Sequence, residues 1–139
     1  MSEAKKDKQV KFSILASPRT KKNHSQIIWA KKGNRRYPKL IPSKQYLEFE
    51  EQAGWYCPDL HIDFPVNIAV VAYVERRNRI DLPNMLNAID DILVKYGVVE
   101  DDNRNIIYSH DGSRIFYDKQ VPRVDITITR IDLNKIERW

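Results

Sequence analysis

Sulfur chemistry, glycine-rich loops and long apolar runs are all missing from this 139-residue chain. Its single cysteine, Cys57, excludes an internal disulfide and a cysteine-rich zinc site, and suits a reducing cytoplasm. Only four glycines are present and none builds a phosphate-cradling loop, which argues against nucleotide hydrolysis and a nucleotide cofactor. No stretch approaches the ~20 apolar residues that span a bilayer, and the N-terminus carries no signal-peptide core. A cytoplasmic protein is expected. His24 and His61 have no ligand spacing, so zinc has no support. His110-Asp111 lacks a serine or cysteine nucleophile setting and reads as a structural turn. Internal repeats and low-complexity segments are absent as well.

What the chain has is charge. Its 24 Lys and Arg against 19 Asp and Glu leave a net +5, which favours polyanionic partners. The length suits one domain with a real core, residues 10–139, after a polar, frayed segment 1–9. Val10 to Ala16 alternates as a strand, and Pro18 to His24 is a basic turn. Ser25 to Ala30 and Arg35 to Ile41 read as a hairpin. This region concentrates Lys21, Lys22, Lys31, Lys32, Arg35 and Arg36, interleaved with Trp29 and Tyr37. Cations bind phosphates and exposed rings stack on unpaired bases, so nucleic acid is the favoured partner; the plain alternative is a solubilising hairpin.

Ser43 then caps a helix whose apolar face runs Tyr46, Leu47, Phe49, Ala53 and Trp55, with Pro58 marking its end. Trp55 and Tyr56 read as core. Phe64 to Val74 is a β-branched run suited to a central strand. Glu75 at its end suits a salt bridge to a neighbouring arginine. Asn105–His110, Ile115–Tyr117 and Val124–Thr129 read as later strands. That order predicts an α+β two-layer sandwich, a mixed sheet with two helices on one face.

Chemistry concentrates between Arg79 and Asn103. Leu82, Met85, Leu86, Ile89, Ile92, Leu93 and Tyr96 give the three-four spacing of a buried helix face. Asp81 or Leu82 starts the helix, Pro83 sits harmlessly in its first turn, and Gly97 stops it. Asn84, Asn87 and Asp91 form a polar stripe along another side. Asp81 and Asp91 are separated by ~15 Å along the axis, too far to share one ion. After Gly97 the chain has length to double back and bring Asp101 or Asp102 toward Asp81. Successive side chains of an extended segment point apart, so both acids would not face the same way. Hard cations such as Mg²⁺ take oxygen ligands, and Arg76, Arg77, Arg79 and Arg104 around the acids suit a phosphate-bearing substrate. Alternatively, Asp81 is only a helix start and Glu100-Asp101-Asp102 only a solvated turn.

Asp81-Leu82-x-Asn84, then Asp91, then Asp101-Asp102 at this spacing resembles the RusA-type Holliday junction resolvases of bacteria and their phages. Weaker likenesses are Ser17-Pro18 with Lys21-Lys22-Asn23, Pro42-Ser43-Lys44-x-Tyr46, and the strand from Val124 to Thr129. The resemblance implies a small homodimeric endonuclease, dependent on Mg²⁺ (or Mn²⁺ in its place), that cuts branched DNA in recombination and repair. It implies Asp81 and Asp102 as metal-binding catalytic acids, with Asn84 and Asp91 as further site positions. Asp101 is a candidate third metal ligand. Two positions depart from the family pattern: Pro83 stands where it has a second aspartate, and Asn87 where it has a lysine. A site short of one carboxylate either recruits Asp91 or Asp101, or leaves a structure-selective DNA-binding protein without catalysis. A basic interaction protein with no preference for DNA is the third alternative.

Overall fold

In the computed structural model, residues 9–21, 25–77 and 79–136 are described. The elements run β1 (Gln9–Ile14), β2 (Gln26–Lys32), β3 (Arg35–Ile41), α1 (Lys44–Ala53), β4 (Val66–Val74), α2 (Leu82–Lys95), β5 (Ile107–Ser109), β6 (Arg114–Tyr117), β7 (Arg123–Arg130) and a short α3 (Leu133–Ile136). The main sheet has the order β1-β7-β4-β5, with β6 also pairing β4. β7 runs antiparallel to both β1 and β4, whereas β5 and β6 run parallel to β4. The sheet is therefore mixed, as expected.

β4 shows why the core lies where it does. Val66, Ile68, Val70, Ala72 and Val74 are buried, and the residues between them are only half-buried. In β7, Val124, Ile126 and Ile128 repeat the pattern. Tyr46, Phe49 and Ala53 of α1 and Met85, Ala88, Ile89, Ile92 and Leu93 of α2 join the same apolar cluster. Both helices therefore lie on the sheet face that these buried residues share. Each large aliphatic side chain so buried contributes about 1.5–3 kcal/mol.

The edge strand beside β4 is broken in two. β5 pairs at Val66 and Asn67, and β6 resumes at Val71. Side chains seal the gap: the Ser113 hydroxyl accepts from Val70 N at 3.0 Å, and Asn67 Oδ1 accepts from Asp111 N at 2.7 Å. β2 and β3 form a separate two-stranded sheet, exposed along most of its length.

α1 is capped as its sequence predicts, with Ser43 Oγ accepting from Tyr46 N at 3.1 Å. It ends sooner than Pro58 suggests. From Gly54 onward the backbone bonds shorten to i−3, Trp55 N to Gln52 O and Tyr56 N to Ala53 O. That tighter winding rotates Trp55 off the apolar face, leaving it 76% exposed rather than in the core. Tyr56 does pack against the cluster. Gln9, expected in the frayed segment, pairs with Thr129; residues 1–8 lie outside those described. Among the described residues no helix is long and apolar enough to cross a membrane.

α2 starts at Asp81, whose side chain makes no capping bond, and Pro83 sits in its first turn. Gly97 ends it with φ +73°, a left-handed conformation that favours glycine. A Cβ there would stand 2.6 Å from Asp59 Oδ1 and 3.1 Å from His61 Cε1. Gly97→Ala is expected to destabilise the protein by about 1–3 kcal/mol, read as a lower urea midpoint at unchanged slope.

Candidate active site

The helix and the segment after it meet in one cleft. Beyond Gly97 the chain is pulled back across α2: Val98 N and Val99 N both donate to Leu93 O, at 2.9 and 3.3 Å. Val99 bridges Ile62, and Glu100 N donates to Ile62 O at 2.9 Å. Asp102 is thereby delivered beside the polar stripe. A cleft of about 310 Å³ is lined by Asn84, Asn87 and Asp91 of that stripe, by Ala88 and Asp90, by Asp102, and by Lys21 from the loop after β1.

Of the acids in the sequence motif, Asp91 and Asp102 line this cleft. Asp81 is not among the cleft's lining residues and is linked to it through Asn84, whose Nδ2 donates to Asp81 Oδ2 at 3.3 Å. The tie to Leu93 and Ile62 fixes where the returning segment starts, and from there Asp102 reaches the flank of Asn84 and Asn87. Asp101 turns away. Its carboxylate accepts from Asp102 N at 2.7 Å and from Asn103 Nδ2 at 3.1 Å, and the backbone bond from Asp102 holds its pKa below the usual carboxylate range. It shapes the loop while Asp102 faces the cleft, matching the opposed directions expected of neighbouring side chains.

An ion pair and a buried hydrogen bond line the cleft. Lys21 Nζ meets Asp91 Oδ2 at 2.6 Å at the rim. Deeper, Asp90 is only 8% exposed and bonds His110 Nε2 at 2.9 Å. Burial pushes the Asp90 carboxyl above its ordinary value, the hydrogen bond from His110 opposes that, and the nearby charges of Asp102 and Asp91 add to the rise. Motif and spacing do not reveal this pair. Its only signal in the sequence is an acid next to Asp91 on the flank of the helix that also carries Ile89.

The predicted cations divide. Arg19, not a neighbouring arginine, pairs with Glu75, at 2.5 Å. Arg76 and Arg77 line a separate hollow with Glu75. Arg79 is exposed, and Arg104 lies 6.0 Å from the Tyr108 ring centroid. Lys31, Lys32, Arg35 and Arg36 stand exposed on the hairpin, with Arg36 near the Trp29 ring and Trp29 itself 65% exposed. Lys22, Asn23 and His24 lie outside the described residues.

Among the described residues, no group of three or more His, Cys, Asp or Glu is arranged to hold a metal ion. Mg²⁺ asks for less, since one or two carboxylates with water and substrate phosphate suffice. Asp91 and Asp102, with the amide oxygens of Asn84 and Asn87, are hard oxygen donors on one cleft and fit that mode. A thiol route has no basis, because burial pushes Cys57 up to about 11. A larger hollow of about 630 Å³ near Pro65 and Leu133 has Asp132 as its one acidic lining residue. No protein-family model matches the chain, and no curated protein matches it.

The buried pair makes a pH prediction. A carboxyl whose folded pKa is raised contributes stability below its unfolded value of ~3.9 and loses it as pH rises through the folded value. Asp90→Asn keeps a partner for His110 without the buried charge. Urea unfolding should therefore show wild type losing stability relative to Asp90→Asn as pH rises above ~4. Asp90→Ala, which orphans His110, should cost about 1–3 kcal/mol.

Proposed function

We propose that this chain is a divalent-metal-dependent endonuclease that nicks four-way junctions or related branched DNA in recombination or repair. One observation carries the reading: Asp102 from a returning loop and Asp91 from a helix line the same cleft, with Lys21 at its wall. The likeness of Asp81, Asn84, Asp91 and Asp102 to RusA-type resolvases supports it. Asp102 and Asp91 would hold Mg²⁺ or Mn²⁺, with Asp81 attached through Asn84. The bound cation would supply the Lewis acidity that activates water and offsets charge on the phosphodiester. Lys21 would exchange Asp91 for a substrate phosphate, providing a cation near Asn87, where the resembling family has a lysine. Cations on the hairpin, with Arg79 and Arg104, would hold flanking phosphates. A twofold dimer suits a substrate with near-twofold symmetry.

A second reading, a junction-binding protein without catalysis, draws on Lys21. Its ammonium at 2.6 Å already neutralises Asp91, and Pro83 removes a carboxylate from the helix start.

Nicking of a labelled four-way junction separates the two. The endonuclease reading expects cleavage with Mg²⁺ or Mn²⁺ that falls by more than ~100-fold in Asp102→Asn, while junction affinity is kept or raised. Tight junction binding with no cleavage under either metal would overturn it. On the hairpin, replacing Lys31, Lys32, Arg35 and Arg36 by alanine should flatten the slope of log affinity against log salt. The change should be about 0.9 for each DNA phosphate the hairpin no longer neutralises.

A further inference from the structure

At the far ends of β4 and β6, a second hollow of about 620 Å³ is lined by Glu75, Arg76, Arg77, Tyr117 and Lys119. The two strands run parallel here, with Val74 opposite Tyr117, and Asp118 N donates to Val74 O at 2.9 Å. Two chain segments thus leave the sheet side by side, the kind of crevice beyond parallel strand ends that receives ligands in open sheets. Three cations line it against one acid. That acid is engaged, since Glu75 accepts from Arg19 Nη2 at 2.5 Å. The next acid along, Asp118, accepts from Gln120 N and Val121 N and pairs with Arg123 at 3.2 Å. The hollow therefore carries uncompensated positive charge. Arg77 lies 4.4 Å from the Tyr117 ring centroid, which braces its planar fork for a two-point contact with an anion.

Location selects the anion. Arg19 and Lys21 are two residues apart, so their Cα atoms are at most ~7 Å from each other. Arg19 is bound to Glu75 in this hollow, and Lys21 to Asp91 in the acidic cleft. One short loop thus borders both. An extended polyanion that leaves the acidic cleft along this loop runs toward the hollow through Arg19 and Glu75, whereas a free small anion gains nothing from that adjacency.

We infer that the hollow formed by Arg76, Arg77, Tyr117 and Lys119 is a second nucleic-acid subsite, holding the phosphodiester backbone of the strand whose neighbouring segment lies in the acidic cleft. This rests on the proposed function for its choice of strand. Lys119 is exposed, so Lys119→Glu tests the subsite without disturbing the core. It should weaken four-way-junction binding about tenfold and reduce the salt slope by about 0.9, with cleavage at saturating DNA within about twofold of wild type. Arg76→Ala should lower affinity in the same direction and by less.

An NMR titration reads the ligand directly. A short oligothymidylate should shift the Arg77, Tyr117 and Lys119 resonances to saturation, and inorganic phosphate at the same phosphate concentration and ionic strength should not. Saturation by inorganic phosphate alone would make this a small-anion site and overturn the inference. Unchanged junction affinity and salt slope in Lys119→Glu would overturn it as well, whatever the cleavage result. The converse pattern, a full binding defect in Lys119→Glu beside a wild type that never cuts, would uphold the subsite and remove the endonuclease.

Discussion

Only one rotation of α2 takes Met85, Ala88, Ile89, Ile92 and Leu93 out of water together, and that rotation decides where its polar residues point. With this face against β4, Asn84, Asn87 and Asp91 are left along one side of the helix, and there the cleft opens. Met85, Ile89, Ile92 and Leu93, each contributing about 1.5–3 kcal/mol, outweigh any preference of the three polar side chains. The site is therefore a consequence of core packing. The same reasoning explains the return loop: Val98 and Val99 are fully buried or nearly so, and burying them carries Asp102 back over the helix.

Charge in the cleft is arranged in two depths. At the rim, Lys21 and Asp91 are both about half exposed, so their attraction is screened and exchangeable. Below, Asp90 is shielded from water and tied to His110, a pair that costs more to break than it contributes by forming. The outer pair is therefore the easier of the two to part, and the inner one belongs to the wall of the cleft.

Much of the architecture is legible in the sequence because its signals are local. The β-branched run of β4, the alternation of β7, the three-four spacing of α2, Ser43 as a cap and Gly97 as a stop all act within a few residues. What escapes depends on distant partners. His110 looks structural and Asp90 unremarkable until the fold sets them 2.9 Å apart. Nearness in sequence matches Glu75 to a neighbouring arginine, but the loop after β1 brings Arg19 instead. Helical spacing places Trp55 in the core only if the winding stays α-helical past Ala53, and there it has already tightened. Asp81 draws attention through its motif, yet it takes the fold to show that Asp91 and Asp102 share a cleft and that Asp81 joins it through Asn84.

The interrupted border of the main sheet has an effect on how this molecule meets its own kind. β5 offers three residues and β6 four, with Ser113 and Asn67 occupying backbone groups between them. An uninterrupted rim of that length would be a template on which a second sheet could grow by strand addition. Broken into pieces too brief to hold a register, and flanked by Arg114, it discourages such stacking. A chain that displays Ile27, Trp29 and Leu40 on its hairpin gains from having that other border closed to aggregation.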